Sequence, residues 1–381
     1  MLKLNNKNFK LGLLGGGQLG RMFIQEAVNY DIAVSVLDGD SNASCAKLAS
    51  EFIVGDLNDF ETVYNFGKKV NLLSIEIENV NVEALEMLEK EGLTVFPQPS
   101  VLRMIKDKGL QKAFYRDNNI PTADFFLVEN KEQIKNYASQ FPFMQKLRKG
   151  GYDGRGVTKI GTEMDLEKAF DGPSVLEKLV DIEKEIAVIA VRNLSGEIKL
   201  YPAVEMEFNP IANLVEFLFS PAAISKEIET KAQAIAHQLV EKTGIVGLLA
   251  IEFFITKKGE LLVNEIAPRP HNSGHQTIEA NYTSQYEQHL RAILDLPLGS
   301  TKIIQPAVMI NLLGELNYEG PAKYIGLEEV MKEEGVFVHL YGKKITKPFR
   351  KMGHVTIMNE TMEAAKVKAL FVKNTLKVIA D

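Results

Sequence analysis

The chain has 381 residues, 45% of them hydrophobic and 25% charged, with a formal net charge of −6. That length allows two or three domains, each with its own core, and the acidic balance argues against nucleic acid as the main partner. A single cysteine, Cys45, excludes an internal disulfide and a cysteine-based zinc cage, and fits a reducing cytoplasm.

The segment Met1–Lys10 lacks an apolar stretch of signal-peptide length. The longest apolar run, near Val246–Ile255, is interrupted by Gly247 and Glu252 and is too short to span a bilayer. A soluble, cytoplasmic protein without membrane contact is expected.

Strand-like runs at Lys10–Leu14, Ile32–Leu37, Phe52–Val54, Leu72–Ile77 and Leu93–Phe96 alternate with helical stretches at Leu19–Tyr30, Asp59–Lys69 and Val82–Glu91. This alternation predicts a parallel, doubly wound α/β sheet. Two prolines, Pro97 and Pro99, close the unit. Ser100 is placed to cap one helix over Val101–Asn118, ending before Pro121. From there, strands at Phe125–Val128, Phe143–Arg148, Ser174–Val180, Glu185–Asn193, Ile198–Glu205 and Leu214–Phe219 follow one another through short turns, predicting mixed or antiparallel sheets. A helix over Lys226–Thr243 ends at Gly244, the usual place for a C-terminal glycine. Beyond Pro297 come short strands and a last helix near Glu363–Val372. The expected division is 1–100, 101–297 with a mobile subdomain at about 121–180, and a β-rich 298–381.

Gly15-Gly16-Gly17-Gln18-Leu19-Gly20 follows the first strand and opens a helix, and Asp38 ends the second strand. This matches the dinucleotide fingerprint. Three readings stay open: a dinucleotide-dependent dehydrogenase, a glycine turn needed only for strand–helix packing, or another substrate's phosphate at the helix N-terminus.

Lys146-Leu147-Arg148-Lys149-Gly150-Gly151-Tyr152-Asp153-Gly154-Arg155-Gly156 carries more information. Four glycines in seven positions do not make a stable strand or helix, so the segment reads as a mobile hairpin loop between strands. Exposed amides beside Lys146, Arg148 and Lys149 suit a triphosphate. Further on, strands Leu249–Ile255 and Leu261–Ile266 flank a turn at Lys257–Glu260. Closing that hairpin so that Thr256 pairs with Leu261 puts Glu252 opposite Glu265 on one face. Facing like charges destabilise a ladder, so unless one is protonated the pair calls for a cation. An all-oxygen site favours magnesium held partly through phosphates. A bulge would shift this register. The next residues, Ala267-Pro268-Arg269-Pro270-His271-Asn272-Ser273-Gly274-His275, form a stiff, polar, cationic loop suited to substrate contacts.

GGGQLGR (Gly15–Arg21), EIEN (Glu76–Asn79), GGYDGRG (Gly150–Gly156), NEIAPRPHNSGH (Asn264–His275) and RKMGH (Arg350–His354) together resemble the ATP-grasp superfamily. Within it the chain is similar, over nearly its full length, to the 5-(carboxyamino)imidazole ribonucleotide synthase (PurK) family. The resemblance implies an ATP-dependent ligase that carboxylates 5-aminoimidazole ribonucleotide with bicarbonate, through carboxyphosphate, in purine biosynthesis. It implies ATP as co-substrate, magnesium (or manganese in its place), no biotin, a homodimer, and no nucleic-acid partner. ATP contacts are expected from Lys108, Lys146, Gly151, Tyr152, Asp153, Gly154, Arg155, Gly156, Val157, Glu177, Lys178, Leu179, Val180, Glu185, Asn264 and Glu265, and metal contacts from Glu252 and Glu265. Gln18, Glu78, Tyr152, Asp153, Arg155, His271, Lys343, Arg350 and Lys351 are expected around the ribonucleotide. Arg155, Arg269, His271 and Lys351 are the expected catalytic groups. Phe208 stands where relatives carry a nucleotide-contacting histidine. Another ATP-grasp ligase, such as a formate-dependent glycinamide ribonucleotide transformylase or an amino-acid ligase, would share the loop and the metal pair.

Overall fold

In the computed structural model, which describes residues 9–151, 156–211 and 214–381, the chain opens with strands β1 (Lys10–Leu14), β2 (Ala33–Asp38), β3 (Glu51–Val54), β4 (Leu72–Ile75) and β5 (Thr94–Val95). They pair in the order β3-β2-β1-β4-β5, all parallel. The order reverses between β1 and β4, so the strand ends Leu14–Gly15 and Ile75–Glu76 lie side by side, where open α/β sheets bind ligands. Glu76 N donates to the Leu14 carbonyl there at 2.8 Å.

The predicted helix 101–118 is two helices, Pro99–Lys106 and Lys108–Asp117. Gln98 rather than Ser100 precedes the first, with Pro99 in its opening turn. That suits a residue without an N–H. Asp107 adopts extended backbone and its carboxylate accepts from Gly109 N and Leu110 N, capping the second helix. The same carboxylate takes Arg148 Nε at 2.8 Å and Nη2 at 2.9 Å.

Strands β6 (Phe125–Val128), β7 (Phe143–Leu147), β8 (Val157–Ile160) and β9 (Ser174–Lys178) form an antiparallel sheet ordered β6-β9-β7-β8. The hairpin β7–β8 pairs Lys146 with Val157, and Leu147 N donates to the Gly156 carbonyl. The glycine loop therefore sits at a hairpin end, as its composition predicts. Tyr152, Asp153, Gly154 and Arg155 lie outside the described residues.

A larger sheet takes β10 (Ile182–Arg192), β11 (Ile198–Leu200), β12 (Val204–Phe208), β13 (Val215–Ser220), β14 (Gly247–Thr256) and β15 (Leu261–Ala267). Two strands thus stand where Ile198–Glu205 predicts one, with Pro202 between them. One face, including Ile186, Val188, Leu249, Ile251 and Phe253, is buried with Ala232, Ala236, Leu239 and Val240 of the helix Lys226–Thr243. Beyond it follow β16 (Ala307–Leu313), β17 (Gly320–Ile325), β18 (Val336–Leu340), β19 (Ile345–Thr346), β20 (Lys351–Met358), the helix Met362–Thr375 and β21 (Lys377–Ala380). The sheet runs on through β13–β16 pairing, in the order β15-β14-β10-β12-β13-β16-β20-β18. Among the described residues no helix is long and apolar enough to cross a membrane.

Candidate active site

The site is built where the two antiparallel sheets and the helix Lys108–Asp117 converge. On β10 and β14, Glu185 pairs with Phe254 and Ala187 with Glu252. Directly paired residues share a face, so Glu185 and Glu252 project together, away from the helix-packed core.

The hairpin β14–β15 departs from the simple count. Ile255, not Thr256, pairs with Leu261, and Phe253 pairs with Val263. The register then shifts, and Ile251 pairs with Ile266. Asn264 and Glu265 together oppose Glu252: a β-bulge, which re-aims side chains. Asn264 Nδ2 reaches Glu252 Oε2 at 3.5 Å. Across the bulge the Glu265 charge still acts on Glu252.

Burial, then the Glu265 charge, raises the Glu252 carboxyl well above the usual carboxylate range. Glu265 moves the other way, chiefly because of Lys108, whose Nζ is 2.8 Å from its Oε2. The Glu265 side chain is 44% exposed, so it is recessed in the cleft yet reachable by water. The helix break at Asp107 puts Lys108 at the start of the second helix, on this site. Burial also lifts Glu185 to about 7.

Lys146 spans the two sheets: its Nζ is 2.9 Å from Glu177 Oε2 and 3.1 Å from Asn264 Oδ1. Glu177 is buried, and its other oxygen meets Lys112 Nζ at 3.2 Å. Burial opposes ionisation of Glu177, but Lys146 and Lys112 overcome it and lower its carboxyl. The Lys178 side chain turns away, its Nζ over the Phe143 ring and bonded to the Gln140 carbonyl. Leu179 is exposed and Val180 half-buried. Arg148, grouped by sequence with the phosphate cations, is spent on Asp107.

His271 sits beside the carboxylates, its Nε2 3.6 Å from Glu252 Oε1. Ser273 N donates to its Nδ1, so the neutral ring carries its proton on Nε2. Burial, then the Arg269 charge, depresses its pKa to about 3. Arg269 Nε is 2.8 Å from Glu78 Oε2, which joins the loop after β15 to the EIEN segment after β4. Lys351, at the start of β20, also depresses His271, and Lys343 Nζ donates to the Lys351 carbonyl at 2.8 Å. Arg350 Nη1 donates instead to the Ile345 carbonyl. Gln18 opens the first helix, beside the strand ends. Phe208 packs against the apolar cluster of Val204, Met206 and Leu218. His275 is buried, 3.0 Å from Tyr286 Oη, and serves the core.

Two groups escaped sequence reasoning. Glu76 accepts from Gly20 N at 2.9 Å, over the start of the first helix, and burial raises it to about 7. Its signal was an acid at the end of a parallel strand beside the switch point. Lys112 lies four residues after Lys108 on one helix, hence on the same face.

The glycine turn is also explained. Asp38 accepts from Gly16 N at 2.6 Å and from Asp40 N at 2.7 Å, so its carboxylate holds the turn rather than awaiting a ribose. A Cβ on Gly17 would collide with Glu76 Oε1. The helix N-terminus thus already faces a carboxyl group where a dinucleotide needs room for pyrophosphate.

Comparisons with known proteins agree with this geometry. Residues 9–106 match the ribonucleotide synthetase preATP-grasp domain, 113–286 the ATP-grasp domain, and 307–368 the phosphoribosylaminoimidazole carboxylase C-terminal domain. The N5-carboxyaminoimidazole ribonucleotide synthetase structure from Thermotoga maritima is 45% identical, with a TM-score of 0.91, covering 98% of this chain and 100% of that one. The chain belongs to the N5-carboxyaminoimidazole ribonucleotide synthase family of ATP-grasp ligases. The Bacillus subtilis synthase is 36% identical over 92% of this chain and 91% of its own length. The Aspergillus clavatus enzyme, solved with ADP and 5-aminoimidazole ribonucleotide, is 32% identical with a TM-score of 0.87, covering 96% and 98%. The chloroplastic phosphoribosylaminoimidazole carboxylase of Vigna aconitifolia is 38% identical over 93% of this chain, which spans only 65% of it. The activity of this family is N5-carboxyaminoimidazole ribonucleotide synthesis in purine biosynthesis, and the chain is a ligase of that kind; the dehydrogenase reading is set aside.

Proposed function

We propose that the chain joins bicarbonate to the amine of 5-aminoimidazole ribonucleotide at the expense of ATP, with carboxyphosphate as the intermediate. The observation that carries this reading is the convergence of Lys108, Lys146, Asn264, Glu252 and Glu265 between the two sheets, beside His271 and the Arg269–Glu78 pair. ATP phosphates lie against Lys146 and Lys108, with Gly151, Tyr152, Asp153, Gly154, Arg155, Gly156 and Val157 as further contacts. The adenosine lies along Glu177–Val180, its ribose on Glu185.

The donor set fits a hard divalent cation. Glu252 and Glu265 share the bulge and offer it carboxylate oxygens, the hard donors such a cation takes. Among the described residues no cluster of three acidic, histidine or cysteine side chains forms a cage. Two protein carboxylates with phosphate and water as further ligands is the usual magnesium arrangement. Magnesium, or manganese, held there supplies charge neutralisation at the phosphates.

In the first step a bicarbonate oxygen bonds to the γ-phosphorus and the bond to the ADP oxygen breaks. In the second the substrate amine bonds to the carboxyl carbon, phosphate leaves, and the amine loses a proton. Phosphoryl transfer depends mainly on positioning and charge. Lys146 and Arg155 hold the developing negative charge, and Arg269, His271 and Lys351 surround the carboxylating centre. Gln18, Glu78, Tyr152, Asp153, Lys343 and Arg350 hold the ribonucleotide, and loop closure shields the labile intermediate from water. The protein works as a cytoplasmic homodimer. ADP release, measured with and without bicarbonate and 5-aminoimidazole ribonucleotide, tests this reading. Stimulation by both together is expected; stimulation by formate or an amino acid instead would overturn the substrate.

A further inference from the structure

Lys112 is 2% exposed, and its ammonium is fully engaged. It donates to Thr122 Oγ1 at 2.5 Å, lies 3.2 Å from Glu177 Oε1, and stands 5.7 Å from the centre of the Tyr115 ring. Thr122 Oγ1 in turn donates to the Val263 carbonyl at 2.7 Å, next to Asn264. Three pieces of the fold therefore meet on one amine: the helix Lys108–Asp117, β9 through Glu177, and β15 through Thr122.

Burying a cation so thoroughly is costly unless it is paired. Its partner is a carboxylate that also holds Lys146, on the other oxygen, at 2.9 Å. Two lysines share one carboxylate, so the cluster carries a net positive charge. Lys112 is sealed in the interior, whereas Lys146 leans into the cleft toward Asn264. The surplus charge is thus presented at Lys146. Without Lys112, Glu177 and Lys146 form a neutral, tighter pair.

We propose that Lys112 is a positioning residue for the nucleotide: by neutralising Glu177 it leaves the charge of Lys146 available to phosphate. This rests on the reading of Lys146 as a phosphate contact.

The test measures ATP and ribonucleotide KM and kcat for Lys112→Met, Lys112→Arg, Glu177→Gln, Lys112→Met/Glu177→Gln and Lys146→Met. Lys112→Met raises the ATP KM by about tenfold or more while the ribonucleotide KM stays within about twofold, and Lys112→Arg largely restores ATP binding. Within the Glu177→Gln background, Lys112→Met changes the ATP KM by less than about twofold, a non-additivity that contacting groups show and independent structural damage does not. If either single variant fails to fold, Lys112→Met/Glu177→Gln, which buries neither unpaired charge, is compared with the parent: an ATP KM within about twofold supports the inference and a rise of about tenfold overturns it. An equal rise in ATP KM in both backgrounds overturns the inference. So does a raised ATP KM in Lys146→Met with no effect of Lys112→Met. An unchanged ATP KM in Lys146→Met overturns the phosphate reading itself.

Discussion

Lys108 Nζ lies 2.8 Å from Glu265 Oε2, so the carboxylate proposed to hold a metal already has a cationic partner from the neighbouring helix. Burial opposes the Lys108 charge, and Glu265 overrides it. Counting along the hairpin alone, Glu265→Gln relieves a like-charge repulsion and leaves the metal-free protein as stable as its parent or more so. With Lys108 in place the expectation reverses. The substitution strands an ammonium whose side chain is only 21% exposed. The cost lies between exposed and buried pairs, about 1 kcal/mol, or a fall in Tm of about 1–2 °C for a chain of 381 residues. Thermal melts with and without magnesium and ATP check this. The variant should melt lower than its parent in EDTA, gain little from magnesium and ATP, and be nearly inactive.

Glu252 sets a second expectation. Its carboxyl is raised by burial and by Glu265, so cation binding there must expel a proton. The affinity for magnesium and ATP should therefore strengthen as pH rises from 6 to 9. Titrations at stepped pH on the parent and on Glu252→Gln separate this from general effects. The parent should show the trend and the variant a flatter, weaker profile. An identical slope in both would place the linked proton elsewhere.

Much of this was legible in local patterns. The strand–helix alternation, the hairpin around the glycine loop and the helix ending at Gly244 follow from periodicity and turn chemistry, because those signals act over a few residues. Glu252 and Glu265 were legible as a pair, and the bulge only as an alternative register. Strand period fixes faces, whereas one inserted residue depends on what the neighbouring sheet must reach. The helix break at Asp107 had a readable cue, an aspartate with glycine two residues on. The cap signal at Ser100 and the stop before Pro121 read as one helix instead. The Arg269–Glu78 and Lys112–Glu177 pairs were not legible at all. Their partners are far apart in sequence, and only tertiary assembly brings them together.

Arg269 and Glu78 invite a test of the carboxylating half of the site. Arg269→Lys keeps the charge but loses the planar fork that matches a carboxylate or phosphate. Loss of one charge-assisted hydrogen bond costs about 1.5–3 kcal/mol, so the ribonucleotide kcat/KM should fall by roughly ten- to 150-fold. ATP KM should hold nearly constant, since the phosphate cations lie elsewhere. Equal losses on both substrates would assign Arg269 to holding the loop.

Glu76 offers a pH experiment that needs no substrate. Burial lifts its carboxyl from 4.5 to about 7, while Gly20 N and the Arg269 charge pull the other way. In the unfolded chain the group titrates near its ordinary value. The folded state therefore holds the proton more tightly, and the stability this contributes is complete below about pH 4.5. It is lost as pH climbs through about 7. Glu76→Gln keeps an oxygen to accept from Gly20 N but cannot ionise. The parent's Tm should drop relative to the variant's between pH 5 and pH 8, with most of the difference arising between the unfolded and folded values, by about pH 7. Comparing the two proteins at each pH cancels the opposing behaviour of His271, which is depressed to about 3 and destabilises the fold only as pH falls below its ordinary value. Gly17→Ala provides an independent push on the same group, because the added Cβ meets Glu76 Oε1. If the Tm difference between parent and Glu76→Gln is flat across this range, the Glu76 carboxyl titrates as an exposed acid and does not sit desolvated at the helix start.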